Sequence, residues 1–384
     1  MLDPDNEFII DAVAHAYNLS PSNYADAASA HPISELTYQI GGMGSPHPQY
    51  DVPHDVYLDD WQPEDIANVL FKETATDMAV AHTLPLYCFK DGFCSVEKSA
   101  EFVERWPHRF RAYAAVDPLR SDWAEALDRQ VELFKPIGLK VYPTSWNGST
   151  ISQWKMNDPK IAYPVYERAM KHGIKVIAVH KAVPLGPVVA EDAFNPGDLE
   201  GAAGNFPDLG FEIVHGGIAF SEETGWLLAR FANIYINLEV SNIILERRPR
   251  TFSKMLMDLL KVGGMSMLDR FVWATGCSLA HPRATIEAFC KYEIPEDLLR
   301  DAGLFGPLSQ ITDDHKRNIL AHNYARVHDI DIAATKVAIA NDAFSLARRA
   351  NPDPAAWSTT RLWPEIERQR AAAQIVSGQN AVAA

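Results

Sequence analysis

The strongest constraint on this chain is a repeat of short apolar runs, most of them followed by a stretch of helical periodicity. The runs are Phe8–Ala14, Asp77–Leu84, Arg109–Val116, Gly138–Tyr142, Ile174–His180, Phe211–His215, Ile234–Val240 and Phe271–Thr275. Each is strand length and predominantly apolar, as a strand buried on both faces must be. Between them, Pro63–Glu73, Val96–Arg105, Trp123–Phe134, Lys160–His172, Glu222–Phe231, Thr251–Val262 and Ala284–Lys291 place apolar residues at helical spacing. Eight such strands, seven of them followed by a helical stretch, predict an α/β protein, a closed (β/α)8 TIM barrel. A doubly wound sheet is disfavoured because no GxGxxG follows the first run, and Gly41-Gly42-Met43-Gly44 reads as a loop bend.

The barrel is expected over residues 1–329, with a lid insertion at 16–62 and a C-terminal helical extension over 330–384. The insertion is rich in Pro, His, Asp and Tyr without clear periodicity, and the connection Thr144 to Asp158 carries Trp146 and Trp154. Long loops leaving strand ends build the walls of a barrel's site. Asp313–Val327, Ile332–Arg349 and Trp363–Ile375 show apolar stripes suited to packing on the barrel and to a homo-oligomeric, dimeric contact.

The 384 residues carry a net charge of −15 and no basic block, which argues against nucleic acid and anionic membranes as partners. The apolar runs fall far short of the ~18 residues a membrane span needs, and the N-terminus is unlike a signal peptide. Four cysteines without CxxC spacing suit a reducing compartment, so a cytoplasmic location and a small-molecule substrate are expected.

Active sites of such barrels lie where strands end. His15, His82, His180 and His215 stand at four strand ends, joined by Lys140, Tyr142, Asn237 and Glu239. Imidazole is costly to bury and useful where it meets a proton or a metal. His215 is expected to handle protons. Glu239 is either a general base or a partner for Lys140 or Arg247, and His82 is an acid, a ligand or a structural ring. Lys140 pairs with a substrate carboxylate or with Glu239, or is carbamylated. Tyr142 and Trp146 are candidate walls for a planar substrate, with Asn237 a further substrate contact. Alternation turns Cys277 into the core. The lid could deliver His31, His47 or His54 to the mouth.

The strand-end motifs, in order, resemble the amidohydrolase superfamily, in its amidohydrolase-related branch that includes aminocarboxymuconate semialdehyde decarboxylase. The resemblance rests on Ile10-Asp11-Ala-Val-Ala-His15, His180, His215-Gly-Gly, Trp273-Ala-Thr-Gly-Cys-Ser-Leu-Ala-His-Pro282 and His322-Asn323-Tyr-Ala-Arg326. It implies a divalent metal, usually zinc, with His15 and His180 as ligands. Two further ligands of the family pattern are replaced here, by Val13 and by Gly276. The resemblance implies a hydrolase acting on a small carboxylated or cyclic amide- or lactone-type substrate. The alternatives are a non-oxidative decarboxylase of an aromatic or unsaturated acid, and a metal-free binding protein without catalysis.

Overall fold

The computed structural model describes residues 2–186, 193–300 and 302–382. Eight parallel strands form the barrel: β1 (Ile10–Ala14), β2 (Met78–His82), β3 (Phe110–Ala115), β4 (Gly138–Val141), β7 (Val176–His180), β8 (Gly210–Val214), β9 (Ile234–Asn237) and β10 (Phe271–Val272). Each pairs with its neighbour in that order, and Lys140 lies opposite Ala115 on one side and Ala178 on the other. The ring is completed between β10 and β1 by Ala12 N–H donating to the Trp273 carbonyl (2.9 Å) and Gly276 N–H to the Val13 carbonyl (3.0 Å). One buried cluster, including Ile10, Val80, Tyr113, Ala178 and Val214, fills the barrel, while a larger one seals the helices onto its outside.

The barrel helices fall where periodicity puts them. Val96–Arg105 and Trp123–Phe134 begin and end at the expected residues, the first capped by Ser95, which accepts from Lys98 N–H. Three expectations need correction. The connection after β4 is a hairpin, β5 (Thr144–Asn147) and β6 (Thr150–Gln153), turning at Gly148 and Ser149, and Gly148 has φ +58°. Glycine at the first position of a two-residue hairpin turn supplies the positive φ that such turns require. The lid at 16–62 contains a helix, Ala27–Thr37, capped by Asp26; half of its buried stripe is polar (Ala30, Ile33, Ser34, Thr37), which hides its period. The stretch 332–349 is two helices, Ile332–Ile339 and Ala343–Ala350. Asp342 breaks it by accepting from Ser345 N–H as a cap and from Arg109 Nε at 2.7 Å.

The C-terminal part ends in a helix over Trp363–Val382, and the last two residues of the expected extension lie outside the described ones. Buried Glu73 fastens this part to the barrel, accepting from the N–H groups of Trp357 (2.6 Å) and Thr359 (2.7 Å) and contacting His281 Nε2 at 2.8 Å. Among the described residues no helix is long and apolar enough to cross a membrane.

Candidate active site

The polar strand ends converge on a small chamber at the C-terminal mouth. It encloses about 50 Å3, and its floor is formed by His15, His180, His215, Glu239 and Tyr142. The walls are mainly apolar: Ile40 from the lid, Leu84 and Phe93 after β2, Val183 and Leu185 after β7, and Leu279 after β10. The lid also supplies Tyr17 and Thr37, but none of its histidines. His31 and His47 are exposed, and half-exposed His54 contacts Glu35 at 3.0 Å.

Glu239 ties the floor together. One carboxylate oxygen lies 3.1 Å from His15 Nε2 and the other 3.6 Å from His215 Nδ1. His15 Nδ1 faces the His82 carbonyl at 3.4 Å. His180 Nε2 lies 2.8 Å from the Val183 carbonyl, which can only accept, so this nitrogen carries the proton. His180 Nδ1 therefore accepts from His215 Nε2–H at 2.9 Å. The Tyr142 ring stacks on His180 with centroids 4.6 Å apart. Burial holds both His180 and His215 well below the ordinary imidazole range, and the Lys140 charge adds to the effect.

This arrangement depends on unusual backbone. His215 has φ +73° and Val240 φ +63°, conformations that cost non-glycine residues about 1–3 kcal/mol and persist where surrounding structure enforces them. Asn237 helps to enforce the second by accepting from Glu239 N–H at 2.9 Å. At Gly276, φ is +68° and an added Cβ would lie 2.7 Å from Glu239 Oε1. The Glu239 carboxylate thus fills the space that any side chain at 276 would enter.

One inward position below Tyr142 on β4 is Lys140, 1% exposed. Its Nζ lies 5.4 Å from the Tyr142 ring, and no hydrogen bond or ion pair within 4 Å ties it to another described residue. Burial lowers its pKa to about 8, against the opposing pull of Glu239 and Glu212.

Glu212, which the sequence reading passed over, is a second buried acid. It accepts from Asn237 Nδ2 at 2.5 Å and from the Tyr113 hydroxyl at 3.2 Å, and burial raises its pKa to about 7. Its signal in the sequence is a charge inside the apolar run Phe211–Val214. Asp11 is also raised to about 7 by burial, despite hydrogen bonds from Thr275.

Several expected site residues stand away from the chamber. Asn237 is spent on Glu212 and on the Glu239 backbone. Trp146 is buried in the β5–β6 hairpin and lines no part of the chamber. His82 lies deeper, fully buried and stacked on Tyr113 at 4.4 Å, and neither ring nitrogen makes a hydrogen bond of ordinary geometry.

A raised acid binds its proton more tightly in the folded chain than in the unfolded one. From its ordinary value of 4.5 to about 7, Glu212 therefore makes stability fall as pH rises. Glu212→Gln, a neutral isostere, is expected to raise Tm at pH 8 and to converge on the parent at pH 4, read by thermal unfolding across pH. Parallel curves at both pH values would reject a buried, proton-retaining Glu212.

A family model described as amidohydrolase matches residues 91–330, well over half of the chain. The chain belongs to the amidohydrolase family. No curated protein matches its sequence significantly. Among solved structures it is similar to an uncharacterised TIM-barrel protein from Bordetella bronchiseptica, at 16% identity and TM-score 0.56, covering 84% of this chain and 98% of that one. It is also similar to the 5-carboxyvanillate decarboxylase of Sphingomonas paucimobilis, at 15% identity and TM-score 0.51, covering 84% and 99%. A third is the dihydroxybenzoic acid decarboxylase of Polaromonas sp. JS666, solved with bound manganese and 2-nitroresorcinol, at 14% identity and TM-score 0.51, covering 86% and 99%. These likenesses show a shared fold. As an amidohydrolase-family TIM barrel the chain is an enzyme, and both hydrolases and carboxy-lyases suit that architecture.

The donor set was tested against a divalent metal. Among the described residues no three His, Cys, Asp or Glu side chains are grouped to hold an ion. His180 has both nitrogens engaged, Val13 offers no lone pair, and position 276 has no side chain. The residues, as placed, do not fit the metal that the family pattern implies.

Proposed function

We propose that this enzyme is a non-oxidative carboxy-lyase acting on a planar aromatic or unsaturated carboxylic acid. One observation carries the reading: both ring nitrogens of His15 face acceptors, the Glu239 carboxylate and the His82 carbonyl. In this place each N–H of a protonated ring would have an acceptor, and the ring forms part of the chamber floor. Decarboxylation needs just such a donor. The bond to the carboxylate carbon breaks, CO2 leaves, and the electron pair left on carbon takes the Nε2 proton of His15 as that nitrogen turns from its hydrogen bond to Glu239. Glu239 steadies the imidazolium beforehand, and solvent returns the proton after product departs.

Lys140 supports this step from beneath the floor. Among the described residues its ammonium has no hydrogen bond or ion pair, and it is poorly solvated, so its field acts on negative charge developing in the substrate with little screening. His180 and His215 form an oriented pair, and Tyr142 with the apolar walls gives a flat, water-poor surface for a ring.

A hydrolase is the second reading, favoured by Glu239 filling the space beside Gly276, where it could take a proton from an attacking water. A panel of hydroxybenzoates, unsaturated acids, lactones and amides separates the two by product. Release of one CO2 per turnover, without a hydrolysed product, supports the carboxy-lyase; a ring-opened or hydrolysed acid without CO2 overturns it.

A further inference from the structure

Beside the chamber runs a second, larger cavity of about 590 Å3, lined largely by apolar side chains. Its walls come from the lid (Ile40, Met43), from the loops after β7 and β8 (Val183, Ile218), and from the helix Ser241–Arg247 (Ile243, Ile244). Ile40, Val183 and Val240 border both spaces, so the groove opens on the same mouth as the reaction floor. Val240 is the junction: its positive-φ backbone directly follows Glu239 and presents this residue to both cavities.

The two volumes divide the work of binding. About 50 Å3 is far below the few hundred Å3 of pockets that hold whole organic ligands, whereas the groove falls within that range. Its cationic rim is largely engaged, since Arg247 donates to the carbonyls of Ile40 (2.8 Å) and Gly41 (3.1 Å). What the groove offers an occupant is therefore apolar surface that water covers poorly, ending a few atoms from His15 and Glu239.

We propose that this groove is a substrate subsite for a hydrophobic arm, so that the substrate class is carboxylic acids bearing an alkyl or aryl extension. The proposal rests on the carboxy-lyase reading, with the carboxyl head at the chamber and the arm running past Val240 to Ile244 and Met43. Each buried methylene adds about a threefold to fourfold gain in affinity. The class therefore discriminates against compact acids through binding of the arm.

Isothermal titration of the full chain with benzoate and with 4-octylbenzoate tests this. The octyl compound is expected to bind at least a hundredfold tighter. That ratio is expected to fall at least tenfold in Ile244→Ser and in Met43→Ser, the latter at a 45% exposed position that tolerates change. A ratio below five, or a large ratio that neither variant moves, overturns the subsite. So does sedimentation showing that Ile244→Ser dissociates a dimer while leaving the ratio intact, which would assign the groove to a second copy of the chain. A protein that decarboxylates compact acids yet shows a ratio near one loses only the subsite. One that holds octylbenzoate in the groove but releases no CO2 from any acid loses the carboxy-lyase reading instead.

Discussion

Lys140→Met is expected to make the protein more stable and nearly inactive. The depression of the Lys140 pKa from 10.5 to about 8 corresponds to roughly 3 kcal/mol spent on keeping the ammonium buried at neutral pH. A methionine of similar length removes the charge and keeps the packing, so unfolding at pH 7 should require about 2–3 kcal/mol more. The sign follows from proton counts. Between about 8 and 10.5 the unfolded chain binds more protons at this site than the folded one, so the penalty is full below pH 8 and relieved above it. The stability advantage of the variant should shrink as pH climbs through that window. Turnover should fall ~100- to 1,000-fold, the usual scale for losing one preorganised electrostatic group. Denaturant melts at pH 7 and 10, alongside turnover, check both halves. A variant less stable than the parent at pH 7 would mean that Lys140 is well paired.

Gly276→Asp is expected to be the most damaging single change near the site. The residue sits at φ +68°, where a side chain costs about 1–2 kcal/mol, and its Cβ would lie 2.7 Å from Glu239 Oε1. A second buried carboxylate adds repulsion, and the whole should reach ~4 kcal/mol or more. The cost should depend on its neighbour. In a Glu239→Ala background the collision and the repulsion vanish, and only the backbone cost of about 1–2 kcal/mol remains. Chemical denaturation of the four proteins in this cycle measures the coupling. Equal penalties in both backgrounds would show that Glu239 does not occupy the space beside residue 276.

The barrel was legible because its strands are buried on both faces and spell predominantly apolar runs, while its helices keep a clear stripe. The site was legible only in its ingredients. His15, His180, His215 and Glu239 do meet on one chamber floor. Their pairing was not readable, because His215 and Val240 take positive-φ conformations, which non-glycine residues rarely adopt. The same turns end β8 and β9 before the expected His215 and Val240. The partnership of Asn237 with Glu212 was not readable for a related reason. Inside a barrel, which polar side chains reach the mouth and which satisfy one another depends on depth along the strand, and a linear pattern carries no measure of depth. Trp146 differs for another reason: Gly148-Ser149 is a hairpin turn signal, and it folds Trp146 into β5 rather than into a wall of the mouth.

Carboxy-lyase chemistry at this site requires a proton delivered to carbon from the chamber floor. Turnover of acids labelled with 13C at the carboxyl group, run in D2O and followed by NMR, observes that step directly. The expected result is one 13CO2 released and one deuteron fixed at the vacated carbon, with both lost in His15→Ala. Retention of the labelled carboxyl alongside a hydrolysed ester, lactone or amide bond would contradict it.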